Sequence, residues 1–354
     1  MRVNRVHDLR HSYATIQLYE HHAQIQYVSE QLGHASMKIT VDTYGHPRQG
    51  TRIALADRLD SADTHALRCA TAARLDTSRI EEYSQYQQHE GNVMLWCRFQ
   101  VGGKVSYGIV EDEARVTEVS GTPFETYTVT ATTYPLSAIK LLVPVIPPTF
   151  YAGGLNYPEH VQWWAQYSGT PARVATEPGI GYRTNNALIA HEENIVKPKD
   201  ASDEFQVEGE LVAVIGKKAR HLSPENALSC VLGYTIGNDV SQRTWQIQDG
   251  SLWRAKNSDT FKPMGPWIAT DLDPNNLETT IRINGQVQGQ FNTRHMLFDA
   301  ASHIAKISRY STLYPGDVVW LGAEGATPNM RPGDVVEIEI SGIGTLRNSV
   351  VAEE

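Results

Sequence analysis

The chain has 354 residues, 41% of them apolar, enough for about two domains with buried cores. Its 40 acidic residues against 31 Lys and Arg give a formal net charge of -9, which argues against a nucleic-acid-binding protein overall. Three widely spaced cysteines (Cys69, Cys97, Cys230) supply neither a disulfide framework nor a zinc pattern, and there is no secretory leader or apolar run of about 18 residues. The expectation is a cytoplasmic protein of a reducing compartment, off the membrane.

Residues 1–49 carry His7-Asp-Leu-Arg10-His11, then Gln31-Leu-Gly-His34, then Asp42-Thr-Tyr44-Gly-His46. This order resembles the C-terminal end of a tyrosine recombinase (phage integrase), a helical fragment in which His7, Arg10 and His34 match the phosphate-holding positions and Tyr44 the attacking tyrosine. Lys and Arg exceed Asp and Glu there only by five to four, too little to hold a duplex through its phosphates. The segment therefore reads as a fused relic without recombination activity. Residues 50–93 read as a linker: Ala62 to Leu75 is rich in Ala and free of Gly and Pro, which predicts a helix, and Thr77 to Asn92 is polar enough to be partly disordered.

From Met94 the texture changes. Leu95-Trp-Cys-Arg-Phe-Gln-Val and Val105-Ser-Tyr-Gly-Ile-Val, joined through Gly102-Gly103, predict a hairpin opening a small N-terminal β domain over 94–147. Pro147-Pro148 then separates this from a main domain over 148–354. Within it, Val207, Leu211, Val212, Val214 and Ile215 form an apolar run that predicts a strand and contains Glu208 and Glu210. Side chains two apart on a strand share a face at roughly 7 Å. Two uncompensated carboxylates buried together repel and lose hydration, at several kcal/mol each, and a cation resolves the conflict. Asp239 closes a second apolar run, Tyr234-Thr-Ile-Gly, and is the natural third ligand. Three hard oxygen donors without a nearby Cys favour Mg2+ or Mn2+ over zinc. Toward the C-terminus, Pro315-Gly316-Asp317 and Pro332-Gly333-Asp334 each predict a turn leading into a strand. Glu337 and Glu339 repeat the spacing of Glu208 and Glu210 but have no third ligand after them, and read as a solvated face.

The stretches VEGELVAVIGKKAR, GYTIGNDVSQR, KNSDTFKPMGPW, LYPGDVVWLG and MRPGDVVEIEISGIGTLRNSV, in that order, resemble the fumarylacetoacetate hydrolase superfamily over residues 94–354. The resemblance implies an α+β, mainly β fold with a mixed β-roll main domain, Glu208, Glu210 and Asp239 as metal ligands, and a homodimer. It implies His160 as the base on a short helix, Lys256 as the group stabilising negative charge beside the metal, and Arg243, Gln246 and Thr327 as substrate contacts. Gly181-Tyr182-Arg183 departs from the family's pattern, and Arg183 there either meets a distal substrate carboxylate or covers the surface. Trp163 stands where hydrolytic members carry a glutamate partner for the histidine, leaving Glu159 as the one nearby substitute. The implied activity is metal-dependent cleavage of a carbon-carbon bond in a 2,4-dioxo acid of the acylpyruvate or fumarylpyruvate type, through a metal-stabilised enolate. Isomerisation or decarboxylation of 2-hydroxy-diene or 2-oxo dicarboxylic acids, as in aromatic catabolism, and a non-catalytic metal-binding role stay open as alternatives. The partner expected is a small oxoacid, with neither nucleic acid nor membrane.

Overall fold

The computed structural model describes residues 93–111, 114–325 and 328–354. The recombinase-like His7, Arg10, His34 and Tyr44, all of the linker expected over 50–93 except Val93, and Thr327 lie outside the described residues. Among the described residues the fold is mostly β, with few helices, and no helix is long and apolar enough to cross a membrane.

The hairpin forms as its glycines require. Strands β1 (Leu95–Val101) and β2 (Lys104–Glu111) pair from Leu95↔Val110 to Val101↔Lys104. The two connecting residues, Gly102 and Gly103, sit at φ 54° and 82°, a left-handed turn that side chains disfavour. Next come β3 (Arg115–Ser120), β4 (Thr128–Pro135) and a short β5 (Lys140–Leu142), which pairs with β1.

Residues beyond 147 continue this sheet. β6 (Phe150–Gly153), helix α1 (Pro158–Ser168), β7 (Ile180–Tyr182), β8 (Leu188–Ile189), β9 (Ile195–Lys197), β10 (Phe205–Gln206) and β11 (Gly209–Ile215) follow in order. Then come β12 (Val231–Asn238), β13 (Ser241–Gln242), helices α2 (Arg243–Gln248) and α3 (Trp253–Asn257), β14 (Lys262–Ala269), β15 (Glu278–Ile283) and β16 (Gln286–Asn292). Helix α4 (Ala300–Tyr310), β17 (Val318–Trp320), β18 (Val335–Ile340) and β19 (Gly344–Ala352) complete the chain. The large sheet runs β4-β3-β2-β1-β14-β12-β11-β17-β6-β7, so the strands of 94–147 join those of the main domain edge to edge through β1 and β14. A second sheet, β16-β15-β18-β19-β9, packs beside it.

Strand β11 is buried along its whole length, and its alternation divides the core. Leu211, Ala213 and Ile215 join the cluster that includes Ile281, Ile338 and Leu346 of the second sheet. Val212 and Val214 point the other way, among Phe150, Met264, Ile268 and Trp320. The sheets approach so closely at Gly209 that a Cβ there would lie 3.0 Å from Ile338 Cγ2, which explains a glycine between the two glutamates. The Pro-Gly turns close as expected: Gly316 and Gly333 have φ 88° and 99°, and the Asp317 and Asp334 amides donate to Tyr314 and Arg331 carbonyls at 3.0 Å. On β18 the residues alternate, Glu337 and Glu339 lying outward of Val336, Ile338 and Ile340.

Candidate metal centre

Glu208 stands one residue before β11 and Glu210 is the second residue within it. Asp239 stands one residue after β12. Antiparallel pairing sets Gly209 opposite Asn238 and Glu210 opposite Gly237, and the Asp239 amide donates to the Glu208 carbonyl at 2.8 Å. One register therefore brings all three acids to one end of the β11-β12 ladder. Each offers a carboxylate oxygen within 4.8 Å of the others, and each residue is 2% exposed or less.

Cations surround them. Arg183, just past β7, forks onto Asp239, Nε to Oδ1 at 2.9 Å and Nη2 to Oδ2 at 2.8 Å. Lys256 on α3 bridges two acids, with Nζ 2.5 Å from Glu208 Oε2 and 2.6 Å from Asp239 Oδ2. Arg243, the first residue of α2, brings Nη2 within 2.5 Å of Glu208 Oε1, and its guanidinium lies 4.7 Å from the centre of the Trp163 ring. Lys262, first residue of β14 and fully buried, places Nζ 2.8 Å from Asp239 Oδ1. It also donates to the Phe261 and Val240 carbonyls at 2.7 and 3.2 Å, so each ammonium proton has an oxygen.

The three carboxyl groups are not equivalent. Burial opposes ionisation of all three, but Arg243 and Lys256 outweigh it at Glu208, which falls to about 2. Arg183, Lys256 and Lys262 hold Asp239 well below the usual carboxylate range. At Glu210 burial is reinforced by the charges of Asp239 and Glu208, and its pKa is pushed up to about 8. Among the described residues its carboxyl accepts one hydrogen bond, from the Gly322 amide to Oε2 at 2.8 Å. Burial likewise pushes Lys262 down to about 7, despite Asp239.

The loop after β17 supplies that Gly322 amide and also the Ala323 carbonyl, which lies 2.8 Å from His160 Nδ1. A carbonyl only accepts, so Nδ1 bears the proton and the lone pair is on Nε2. Nε2 is buried without a hydrogen-bond partner among the described residues, 3.7 Å from Glu208 Oε1. Burial lowers the His160 pKa, partly opposed by Glu208, so the ring is a neutral base at neutral pH. Helix α1, begun by Pro158 and stopped by Gly169 at φ 70°, turns His160 and Trp163 to one face. Their rings are 5.7 Å apart, and Trp163 stacks on Tyr167 at 5.1 Å.

Of the residues singled out in the sequence, Glu208, Glu210, Asp239, His160, Lys256, Arg243 and Arg183 meet in this cluster. Glu159 does not: it is exposed on α1, the neighbouring position pointing away from the site. Gln246 is one step removed, accepting from Arg243 Nη1 at 3.0 Å. Arg183 does not cover the surface: its side chain is buried and forks onto Asp239. Lys262 was not singled out; the available signal was a lysine opening an otherwise apolar strand.

The donor set fits a divalent cation. Its oxygens converge, burial and the charges of Asp239 and Glu208 disfavour ionisation of Glu210 in a way that added positive charge would relieve, and the Lys256 ammonium already sits between two of the carboxylates.

A profile described as fumarylacetoacetate (FAA) hydrolase C-terminal matches residues 149–351, and one described as Rv2993c-like, N-terminal, matches residues 94–144. The 2,4-didehydro-3-deoxy-L-rhamnonate hydrolase of Sphingomonas sp. is 34% identical, covering 73% of this chain and 96% of its own. The mitochondrial oxaloacetate tautomerase Fahd2a of Rattus norvegicus is 34% identical, covering 61% and 71%. Among solved structures, the 2-hydroxyhepta-2,4-diene-1,7-dioate isomerase of Mycobacterium marinum superposes with a TM-score of 0.66 at 35% identity, covering 73% of this chain and 99% of its own. The maleylpyruvate hydrolase of Sphingobium sp. SYK-6, solved with manganese(II) and pyruvate, shares the fold at a TM-score of 0.60 and 24% identity, covering 74% and 100%.

Proposed function

The chain belongs to the fumarylacetoacetate hydrolase family, and from that premise we propose that it is a divalent-cation-dependent enzyme that moves a proton on a 2-oxo acid, as a tautomerase or isomerase. The observation that carries this reading is His160: a neutral base whose free Nε2 faces the acidic cluster, and whose Nδ1 is held by a backbone carbonyl rather than by a carboxylate. Glu208, Glu210 and Asp239 would hold the cation. Bound there, Mg2+ or Mn2+ supplies Lewis-acid polarisation of the 2-oxo group and lowers the energy of the enolate.

The chain's own groups do the rest. His160 Nε2 takes a proton from the carbon beside the oxo group and returns it to another atom of the same substrate, so no water is consumed. Lys256, fixed against Glu208 and Asp239, sets a positive charge beside the oxygen on which negative charge grows. Trp163, stacked on Tyr167, and the burial of His160 keep bulk water from competing for the proton.

Carbon-carbon hydrolysis of a 2,4-dioxo acid is the second reading, favoured by the alignment over nearly the full length of the rhamnonate hydrolase. In that case His160 deprotonates a water molecule instead. The test is to supply the enol forms of 2-oxo acids and a set of acylpyruvates to the protein with Mn2+, with Mg2+ and with chelator. Metal-dependent enol-keto interconversion without pyruvate release is expected, and Glu208→Ala should abolish it. Pyruvate release faster than interconversion transfers the assignment to the hydrolase, and no metal-dependent reaction on either set overturns both.

A further inference from the structure

Asn156 lies between β6 and α1, four residues ahead of His160, and is 1% exposed. Both protons and the oxygen of its side-chain amide are in use. Oδ1 accepts from the Phe298 amide at 3.0 Å, and Nδ2 donates to the Phe298 carbonyl at 2.9 Å and to the Leu321 carbonyl at 2.7 Å. Turned over, the group would set its oxygen against two carbonyls, so one orientation alone satisfies it. The Asn156 backbone carbonyl accepts from the Leu297 amide at 2.7 Å. One residue therefore joins the approach to α1, the approach to α4 and the loop after β17.

That loop touches both the base and an acid of the site. Gly322 donates to Glu210 and Ala323 accepts from His160 Nδ1, each at 2.8 Å. The Leu321 carbonyl and the Gly322 amide belong to a single planar peptide, on whose two edges they point in opposite directions. Asn156 holds one edge of this unit and Glu210 the other, so the bond to the carbonyl aims the amide. Gly322 has φ 87°, and a Cβ on it would lie 3.0 Å from Asn156 Cβ, which puts the loop directly against the asparagine.

We infer that Asn156 is a positioning residue for the proposed reaction: by gripping the Leu321–Gly322 peptide from behind, it aims the Gly322 amide at Glu210 and keeps the Ala323 carbonyl where it fixes the His160 proton on Nδ1, leaving Nε2 as the base. The inference rests on the reading of His160 as that base and gives Asn156 no contact with substrate.

Asn348 on β19 is a matched control outside the acidic cluster: it is 2% exposed, and its Nδ2 likewise donates to two carbonyls, those of Ala190 and Glu193, at 2.8 Å. Full-length Asn156→Ala and Asn348→Ala are compared in two ways. At mildly alkaline pH, where an ordinary histidine ring is neutral, the 15N shifts of the His160 ring, assigned with His160→Gln, report which nitrogen bears the proton. The unaltered chain and Asn348→Ala should show the Nδ1–H ring, and Asn156→Ala a mixture of the two tautomers. In Mn2+-supported turnover of enol 2-oxo acids, Asn156→Ala should lower kcat about 10²-fold with KM changed less than about threefold, as a misdirected group does, and Asn348→Ala should leave kcat within about twofold. An Asn156→Ala protein that keeps the Nδ1–H ring or full kcat overturns the inference, as do two variants that lower kcat alike or an unaltered chain with its proton on Nε2. If the unaltered chain turns over nothing, the proposed reaction fails while the tautomer comparison still decides the role of Asn156. Should Asn156→Ala not fold, hydrogen exchange in the unaltered chain decides: the Asn156 side-chain protons and the His160 Nδ1 proton should be released by one opening, at rates that rise together on warming, and a His160 proton that exchanges while those of Asn156 stay protected overturns the link.

Discussion

Replacing Asp239 by Asn would test the cluster without metal or substrate. The amide keeps the shape of the side chain but loses its charge and one acceptor. In the structure both oxygens are in full use: Oδ1 is approached by Arg183 Nε at 2.9 Å and Lys262 Nζ at 2.8 Å, and Oδ2 by Arg183 Nη2 at 2.8 Å and Lys256 Nζ at 2.6 Å. An NH2 in either place faces two other donors. Removing one partner of a buried ion pair costs about 3–5 kcal/mol. Lys262, whose pKa burial pushes down to about 7, relieves part of this by losing its proton, which points to the lower end of that range. At about 2–4 °C per kcal/mol for a domain of this size or somewhat smaller, the melting midpoint should fall by roughly 6–12 °C. The assay is a thermal melt by circular dichroism at neutral pH with chelator present. Glu339→Gln, which breaks only the surface pair with Arg282, serves as the control and should shift the midpoint little. If the two variants melt together, the cations do not converge on Asp239 in solution and the electrostatic description of the site fails.

Glu210→Gln should behave in the opposite way, leaving the metal-free protein at least as stable near neutral pH while removing Mn2+ binding. Because burial, Asp239 and Glu208 raise the Glu210 pKa from 4.5 to about 8, the stability it contributes is present at acid pH and is lost as the pH climbs through that window. Melts from about pH 5 to about 8.5 should therefore show Mn2+ stabilising the unaltered chain more at the alkaline end and the Gln variant nowhere; a pH-independent Mn2+ effect contradicts the assignment. His160→Gln should lower turnover by about 10²–10⁴-fold while Mn2+ affinity, measured by calorimetry, stays unchanged. Because burial lowers the His160 pKa below 6.5, the acid limb of the pH-rate profile should lie under the ordinary histidine value, and a limb above it would remove His160 from the role of base.

What was legible in the sequence is what neighbouring residues decide among themselves. Gly102-Gly103 admits the left-handed turn that closes β1 on β2, and Pro-Gly before Asp317 and Asp334 sets the two later turns. The acids of Glu208-Gly209-Glu210 could be assigned to one buried place because their flanking residues are apolar on both faces, and the strand burial agrees. The side of α1 that carries chemistry was less plain: Glu159 and His160 are adjacent, and only the helix packing sends one into the site and the other to solvent.

The cations were not legible in the same way, and the reason is physical. Arg183, Arg243, Lys256 and Lys262 come from four separate segments, and each taken with its own neighbours looks like a surface charge. A buried carboxylate advertises itself through the apolar strand around it, but the charge that compensates it needs no such setting and arrives from wherever the chain happens to pass. The sign of the site's field is therefore a tertiary property. Reading the sequence, three acids called for one divalent cation; in the structure four cations from separate segments also contact two of those acids. A site that sequence reasoning describes as three acids is, once folded, a network of three acids and four cations drawn from distant segments.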